Sequence, residues 1–310
     1  MSALRTAAAA CIAALSLAAG PVLAEPVYGI TTSTTFNFPA LVSFDSATPG
    51  TMSNPIAISG LVAGQTLRSI DFRPADGKLY ALSSAGANAQ LYTVNTTTGV
   101  LTAVGSGFAL AGNTDTHVTI DFNPVVDRLR VVTGDGQNYR VNPINGTLVA
   151  QDTSLPSPTV GGPAIRAIAY SNNVVGATST TLYGYDYLND ELDTIGSPGG
   201  TPVSPNAGQV FVVGSTGLLS GEEIGLDISG VSGIAYGSVY DFLGGSTNGF
   251  YRVNLATGLF SLIGYEAFAL SDFAIAIAAP TAAVPEPDAP AILGLGLAAL
   301  LWSTRRRRIR

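Results

Sequence analysis

A unit of about forty residues, built from four short strand patterns joined by tight turns, recurs along this chain, and few folds accept such a repeat. Its clearest copy is Leu67 to Gly105, LRSIDFRPADGKLYALSSAGANAQLYTVNTTTGVLTAVG. Leu67 to Phe72 reads as a half-buried strand. Pro74, Asp76 and Gly77 then turn the chain, because proline presets φ and glycine accepts a positive one. Lys78 to Leu82 is a second strand. Leu91 to Asn95 is a third, with Leu91 and Thr93 on one face and Tyr92 and Val94 on the other. After a turn at Thr96 to Gly99, Val100 to Val104 is the fourth. No part of the unit has helical periodicity with caps.

Several offsets within the unit repeat together. Ile70-Asp71-Phe72 returns as Ile120-Asp121-Phe122, Ile168-Ala169-Tyr170 and Ile234-Ala235-Tyr236. Tyr92-Thr93-Val94-Asn95 returns as Tyr139-Arg140-Val141-Asn142 and Tyr251-Arg252-Val253-Asn254, each followed at one spacing by Gly99, Gly146 or Gly258. Tyr185-Asp186-Tyr187 reads as a degenerate further copy. Four strands per unit is one blade of a β-propeller, so the expectation is an all-β propeller with units starting near residues 67, 117, 165 and 231.

The ends of the repeat complete the count. Val27 to Thr31, Leu41 to Asp45 and Ile56 to Ser59 supply strands two, three and four of a unit whose first strand is missing. Leu270 to Ile275 resembles that missing strand. Pairing it with Val27 to Thr31 closes a ring and removes two sheet edges. The sequence therefore predicts five four-stranded blades with a composite closing blade, or six if the insertion at 197–230 forms a blade of its own.

The flanks differ from this body. Residues 1–24 combine Arg5, an apolar run from Ala7 to Ala19 and a small-residue cleavage pattern at Val22-Leu23-Ala24, the layout of an export signal. The single cysteine, Cys11, falls inside it, so the body at 25–279 has neither thiol nor disulfide. Residues 280–310 hold a linker, Pro285-Glu286-Pro287, an apolar stretch from Ala289 to Trp302 and the cluster Arg305 to Arg308. That stretch is short for an upright membrane-spanning helix; extension through Thr304 with arginine snorkelling brings it close. A chain with 21 acidic and 14 basic residues, net charge −7 even with those arginines counted, is a poor partner for nucleic acid.

Chemistry-bearing residues are sparse. One histidine, His117, excludes a histidine-based zinc site, and no Gly-x-Ser-x-Gly elbow presents a serine to it. Asp71, Asp121 and Asp272 share a place on the first strands of three blades, which line the channel of a propeller. Three such carboxylates suit Ca²⁺ or an acid–base pair. The plainer reading is that each accepts hydrogen bonds from turn amides in its own blade. Arg128, Arg130 and Arg140, with Asp121, concentrate charge in one unit and suit bidentate capture of an acidic sugar. The plainer reading there is salt bridging on the blade surface.

Two resemblances follow. The tail, with Pro285-Glu286-Pro287, a short hydrophobic helix and a basic end, resembles the PEP-CTERM sorting signal. That resemblance implies export across the inner membrane of a Gram-negative bacterium, a transient membrane stay, and recognition by an exosortase. The body, through Tyr28-Gly29-Ile30, Thr66 to Tyr80, Leu91 to Gly105, Val118 to Val132 and Asn138 to Pro143, resembles the DUF4394 family. That family implies a secreted or surface β-rich domain and carries no established reaction. The two together favour a noncatalytic binding or structural module of the cell envelope or exopolysaccharide matrix; the alternative is a carbohydrate-active enzyme using channel carboxylates.

Overall fold

A computed structural model describes residues 24–31, 38–110, 117–158, 161–245 and 247–277. The export signal and the sorting tail, with its apolar stretch, lie outside the described residues. Among those residues no helix is long and apolar enough to cross a membrane.

Among the described residues, twenty strands form five separate four-stranded antiparallel sheets. Blade I holds β4 (Thr66–Phe72), β5 (Leu79–Ala85), β6 (Asn88–Val94) and β7 (Leu101–Ala109). Blade II holds β8 (Val118–Asn123), β9 (Arg128–Thr133), β10 (Asn138–Val141) and β11 (Leu148–Gln151). Blade III holds β12 (Ile165–Tyr170), β13 (Leu182–Asp186), β14 (Glu191–Ile195) and β15 (Val210–Ser215). Blade IV holds β16 (Ser220–Ile228), β17 (Ala235–Asp241), β18 (Thr247–Val253) and β19 (Phe260–Tyr265). Blade V is composite: β20 (Asp272–Ile275) pairs with β1 (Pro26–Thr31), followed outward by β2 (Ala40–Asp45) and β3 (Ile56–Ala57).

The closure is as the strand deficit requires. Val27 pairs with Ile275 and Ile30 with Asp272, antiparallel. The inner strands β4, β8, β12, β16 and β20 pack side by side around one axis, the last returning to the first. The chain is thus a five-bladed propeller. The insertion makes no sixth blade. Its Pro/Gly-rich part becomes a loop with two short 3-10 turns, Pro198–Gly200 and Pro205–Ala207, and the rest supplies β15 and β16.

That last assignment changes the phase of blade IV. Ile234-Ala235-Tyr236 opens the second strand of the blade rather than the first, since Ala235 pairs with Ile228 as Leu79 pairs with Phe72. The true counterpart of Ile70-Asp71-Phe72 is Leu226-Asp227-Ile228. Tyr185-Asp186 likewise ends strand two of blade III rather than strand three.

Because alternate residues of a strand face opposite sides, each sheet buries both faces against its neighbours. The core is accordingly divided into five clusters, one at each blade interface. Aromatic pairs cross four of these interfaces: Tyr28 on Phe72, Tyr80 on Phe122, Tyr185 on Phe260 and Phe44 on Phe250, with centroids 5.1–5.6 Å apart. The interface between blades II and III uses polar contacts from Arg130 to Tyr170 and Asn206 instead.

The recurring glycine has a reason beyond turn geometry. Gly99, Gly146 and Gly258 adopt φ of 71°, 68° and 82°. Each closes an Asx turn in which Asn95, Asn142 or Asn254 accepts backbone N–H groups, fixing the link between strands three and four. Each also abuts the outer strand of the preceding blade. A Cβ on Gly146 would stand 2.1 Å from the Val104 carbonyl oxygen, and one on Gly258 2.2 Å from that of Gly214. Only glycine serves where left-handed backbone and interblade contact coincide.

Candidate functional site: the axial channel and its mouth

The five inner strands run in one direction about the axis, so equivalent residues form tiers. Interblade hydrogen bonds fix which residues are equivalent. The Asp71 carboxylate accepts from Phe122 N at 2.7 Å, and Asp227 accepts from Ile275 N at 2.5 Å, one residue past the equivalent position on the next strand. Asp121 accepts in the same way from the backbone of Tyr170. One tier nearer the strand starts, Ser69 Oγ accepts from Ile120 N (3.0 Å), Thr119 Oγ1 from Ile168 N (3.2 Å) and Asp272 from Ile70 N (2.9 Å). Asp272 also accepts from the Ser69 hydroxyl at 2.5 Å.

The lower tier therefore reads Asp71, Asp121, Ala169, Asp227 and Ala274 around the ring. Asp71, Asp121 and Asp227 bring one carboxylate oxygen each within 4.8 Å of the others. The sequence placed Asp272 in this group; the structure puts it one tier above and puts Asp227 in the group. All four side chains are almost fully buried. Their donors include amides of the neighbouring blade, so the carboxylates stitch blades together rather than only capping turns of their own.

Electrostatics at this level is one-signed. Burial pushes the Asp71 carboxyl well above the usual carboxylate range, with the Asp227 charge adding to it. Burial does the same to Asp121, with Asp71 and Asp227 adding. Burial raises Asp227 and Asp272 to about 7 each, against partial relief from their amide donors.

Above these tiers the channel opens into a cavity of about 260 Å³. Residues from all five inner strands or their leading ends line it, among them Arg68, His117, Arg166, Glu222, Glu223 and Asp272. The ladders explain how charged residues come to point there. Pairing shifts between Leu67 and Ser69, between Ile165 and Ala167, and between Ser220 and Ile224. Arg68, Arg166, Glu222 and Glu223 occupy these irregularities, and a bulge re-aims the residue it displaces. Arg68 Nε donates to Ser84 Oγ (3.0 Å), Arg166 lies 5.4 Å from the centroid of the Tyr187 ring, and His117 Nε2 stands 3.7 Å from a Glu222 oxygen. The mouth thus presents both signs of charge across one small cavity. Sequence reasoning missed it, although Arg68 precedes Ile70, and Arg166 precedes Ile168, by the same two residues.

The arginines singled out from the sequence lie elsewhere. Arg128, Arg130 and Arg140 line a groove of about 360 Å³ at the outer side of the blade II–III interface, together with Asn206. Arg130 is buried; its guanidinium donates to Asn138 (2.8 Å), Asp152 (2.7 Å) and Asn206 of blade III (2.6 Å), and to the Tyr170 hydroxyl at 3.3 Å. Arg140 makes a two-pronged contact with Asp152, both distances 2.8 Å. Arg128 donates to the backbone oxygen of Asp127 at 2.7 Å. Asp121, grouped with them from the sequence, belongs to the channel tier instead.

A family model described as "Domain of unknown function (DUF4394)" matches residues 40–274. A PEP-CTERM protein-sorting motif matches residues 283–307, which marks the chain as an exported protein sorted by exosortase-type machinery. No curated protein matches in sequence. Among solved structures, similarity extends to the WD40 domain of coronin from Toxoplasma gondii (14% identity, TM-score 0.41, covering 78% of this chain and 58% of that one). It also extends to TolB from Acinetobacter baumannii (13%, 0.41, 78% and 53%). A third is an exo-beta-1,3-galactanase from Phanerochaete chrysosporium (10%, 0.45, 77% and 64%). The chain spans less than two thirds of the length of each of these three.

Proposed function

This chain belongs to the DUF4394 family, and from that premise we propose that it is a noncatalytic binding module of the bacterial cell envelope or exopolysaccharide matrix. Its export signal at 1–24 and its tail at 280–310 are removed or processed around a propeller domain at 25–279. The ligand is an acidic saccharide held at the channel mouth. The observation that carries this reading is the convergence of all five inner strands on one cavity where Arg68 and Arg166 face Glu222, Glu223 and Asp272. Arginine forks suit a sugar carboxylate, and carboxylates suit the hydroxyls beside it.

The enzymatic alternative needs two carboxyl groups flanking an open cleft, roughly 5–9.5 Å apart. Asp71, Asp121 and Asp227 are close enough, yet they are buried beneath the mouth and engaged by backbone amides of neighbouring blades. A substrate bond at the mouth does not reach them, which speaks against turnover by these three carboxylates. The sorting motif supports the envelope address, since it delivers the chain to exosortase-type machinery in the inner membrane.

The test is a glycan array probed with the full chain and with an Arg68→Ala, Arg166→Ala double variant. Binding of uronate-bearing glycans that the double variant loses at least tenfold is the expected result. Equal binding by both proteins, or release of shorter saccharides from the bound glycan, would overturn the reading.

A further inference from the structure

We propose that the lower channel tier is a calcium site, with Asp71, Asp121 and Asp227 as its protein ligands. The three carboxylates come from three different blades and converge on the axis, each offering an oxygen within 4.8 Å of the other two. Three oxygens within that span lie close to what one calcium ion at about 2.3–2.6 Å from each requires.

A second observation points to a missing partner. Asp227 has both oxygens engaged by backbone amides, those of Ile228 and Ile275, and Asp71 accepts from the amides of Phe122 and Phe72. Asp121, only 1% exposed, differs. One oxygen is served by the backbone of Tyr170, while Oδ1 accepts no hydrogen bond. A buried carboxylate oxygen without a donor costs free energy that a cation would offset.

The surroundings reinforce this. The charges bearing on Asp71 are Asp227 and Asp272; those bearing on Asp121 are Asp71, Asp227 and Asp272; Glu25 bears on Asp227. All are negative. The two remaining inner strands place Ala169 and Ala274 at this tier, so small side chains leave the axis clear. Oxygen-only, anionic donors select a hard cation over a thiophilic metal. Bound there, the ion would link blades I, II and IV across the channel below the mouth, a role independent of what the mouth binds.

The experiment is calorimetric titration of the EDTA-stripped full chain with CaCl2 at pH 8 and pH 5, with melting curves alongside. At pH 8 one ion per chain should bind and raise the melting temperature by about 5 °C or more, because an ion that binds only the folded chain stabilises it. At pH 5, where protons compete for Asp71, Asp121 and Asp227 under the fields of Asp272 and Glu25, affinity should fall at least tenfold. Asp121→Asn and Asp227→Asn should each lose calcium binding at least tenfold while folding without the ion, since the amide removes a buried like charge. Should either variant fail to fold, elemental analysis of the wild-type chain dialysed against calcium decides: one ion per chain supports the site, and less than a tenth overturns it. Absence of binding at pH 8, wild-type affinity in Asp227→Asn, or a preference for Mg²⁺ would each overturn the proposal.

Discussion

The outer groove between blades II and III and the channel mouth are both lined by arginines, yet the two regions use them differently. In the groove, Arg130 and Arg140 converge on Asp152, whose side chain is buried, and Arg130 extends across the interface to Asn206 and Tyr170. Burial alone would push the Asp152 carboxyl up, but the bonds from Arg140 and Arg130 together bring it below the usual carboxylate range. At the mouth, Arg68 and Arg166 sit on ladder irregularities at the rim of a cavity and face acids on a different blade. Buried, mutually satisfied charge is a fastening. Charge of both signs set around a cavity suits the binding of a polar ligand.

Blade I shows why the groove arginine is there. Tyr80 and Arg130 hold the same register position, opposite Asp71 and Asp121 respectively. Tyr80 packs edge-on against Phe122 of the next blade. Arg130 meets Tyr170 in the place of that phenylalanine and bonds its hydroxyl. The polar network thus replaces an aromatic pair, so the substitution that looks functional in the sequence has a packing explanation in the structure.

The largest effect that separates the two regions is expected from Arg130→Ala. It leaves Asp152 with Arg140 alone and removes the donor that Arg130 supplies to Asn138 Oδ1, Asn206 Oδ1 and the Tyr170 hydroxyl. Breaking a buried pair from one side costs about 3–5 kcal/mol. Urea unfolding should show that loss while saccharide binding by the folded fraction stays unchanged. Loss of binding without loss of stability would instead place the ligand in the groove.

Next in size is the pH dependence of the channel. Asp227 and Asp272 sit at about 7 in the folded chain, above their ordinary value. A carboxyl raised on folding contributes stability below its unfolded pKa and loses it as pH rises through the folded one. The metal-free chain should therefore melt several degrees lower at pH 8 than at pH 5. The groove has the opposite sign: Asp152, lowered on folding, gives stability that is kept at neutral pH and lost only as pH falls through its folded pKa below 3.8. Arg130→Ala should flatten the acid limb of the profile and leave the alkaline limb unchanged.

The smallest effect belongs to Arg140→Ala. Its side chain is 29% exposed, so solvent screens the pair, and a loss of about 0.5–1 kcal/mol is expected by the same unfolding measurement. A loss as large as that of Arg130→Ala would mean that the two arginines share the fastening equally.

The sequence shows the fold more readily than the site, and the reason is physical. Strand periodicity and the Asn-to-Gly turn spacing are local, and the missing first strand beside Val27 is a matter of counting, so the five blades and their closure are legible. Tiers around a channel depend on register between blades, which no local pattern records. Asp272 looks like Asp71 because each precedes a phenylalanine, yet the β1 pairing aligns Ala274 with Asp71. Asp227 is hidden because Ile234-Ala235-Tyr236 on the second strand matches Ile168-Ala169-Tyr170 and passes for the first strand. The arginines of the mouth stand on bulges, whose only trace in the sequence is the shared offset of Arg68 and Arg166.

The central claim is that recognition resides at the mouth and not in the groove. The direct measurement is the affinity of one array-identified uronate oligosaccharide for three proteins at equal folded concentration: the wild-type chain, Arg68→Ala, Arg166→Ala, and Arg128→Ala, Arg140→Ala. The account predicts at least a tenfold loss for the mouth pair and less than a twofold change for the groove pair, with each bidentate contact contributing roughly 1.5–3 kcal/mol. The reverse order, with the groove pair losing affinity and the mouth pair retaining it, would contradict it.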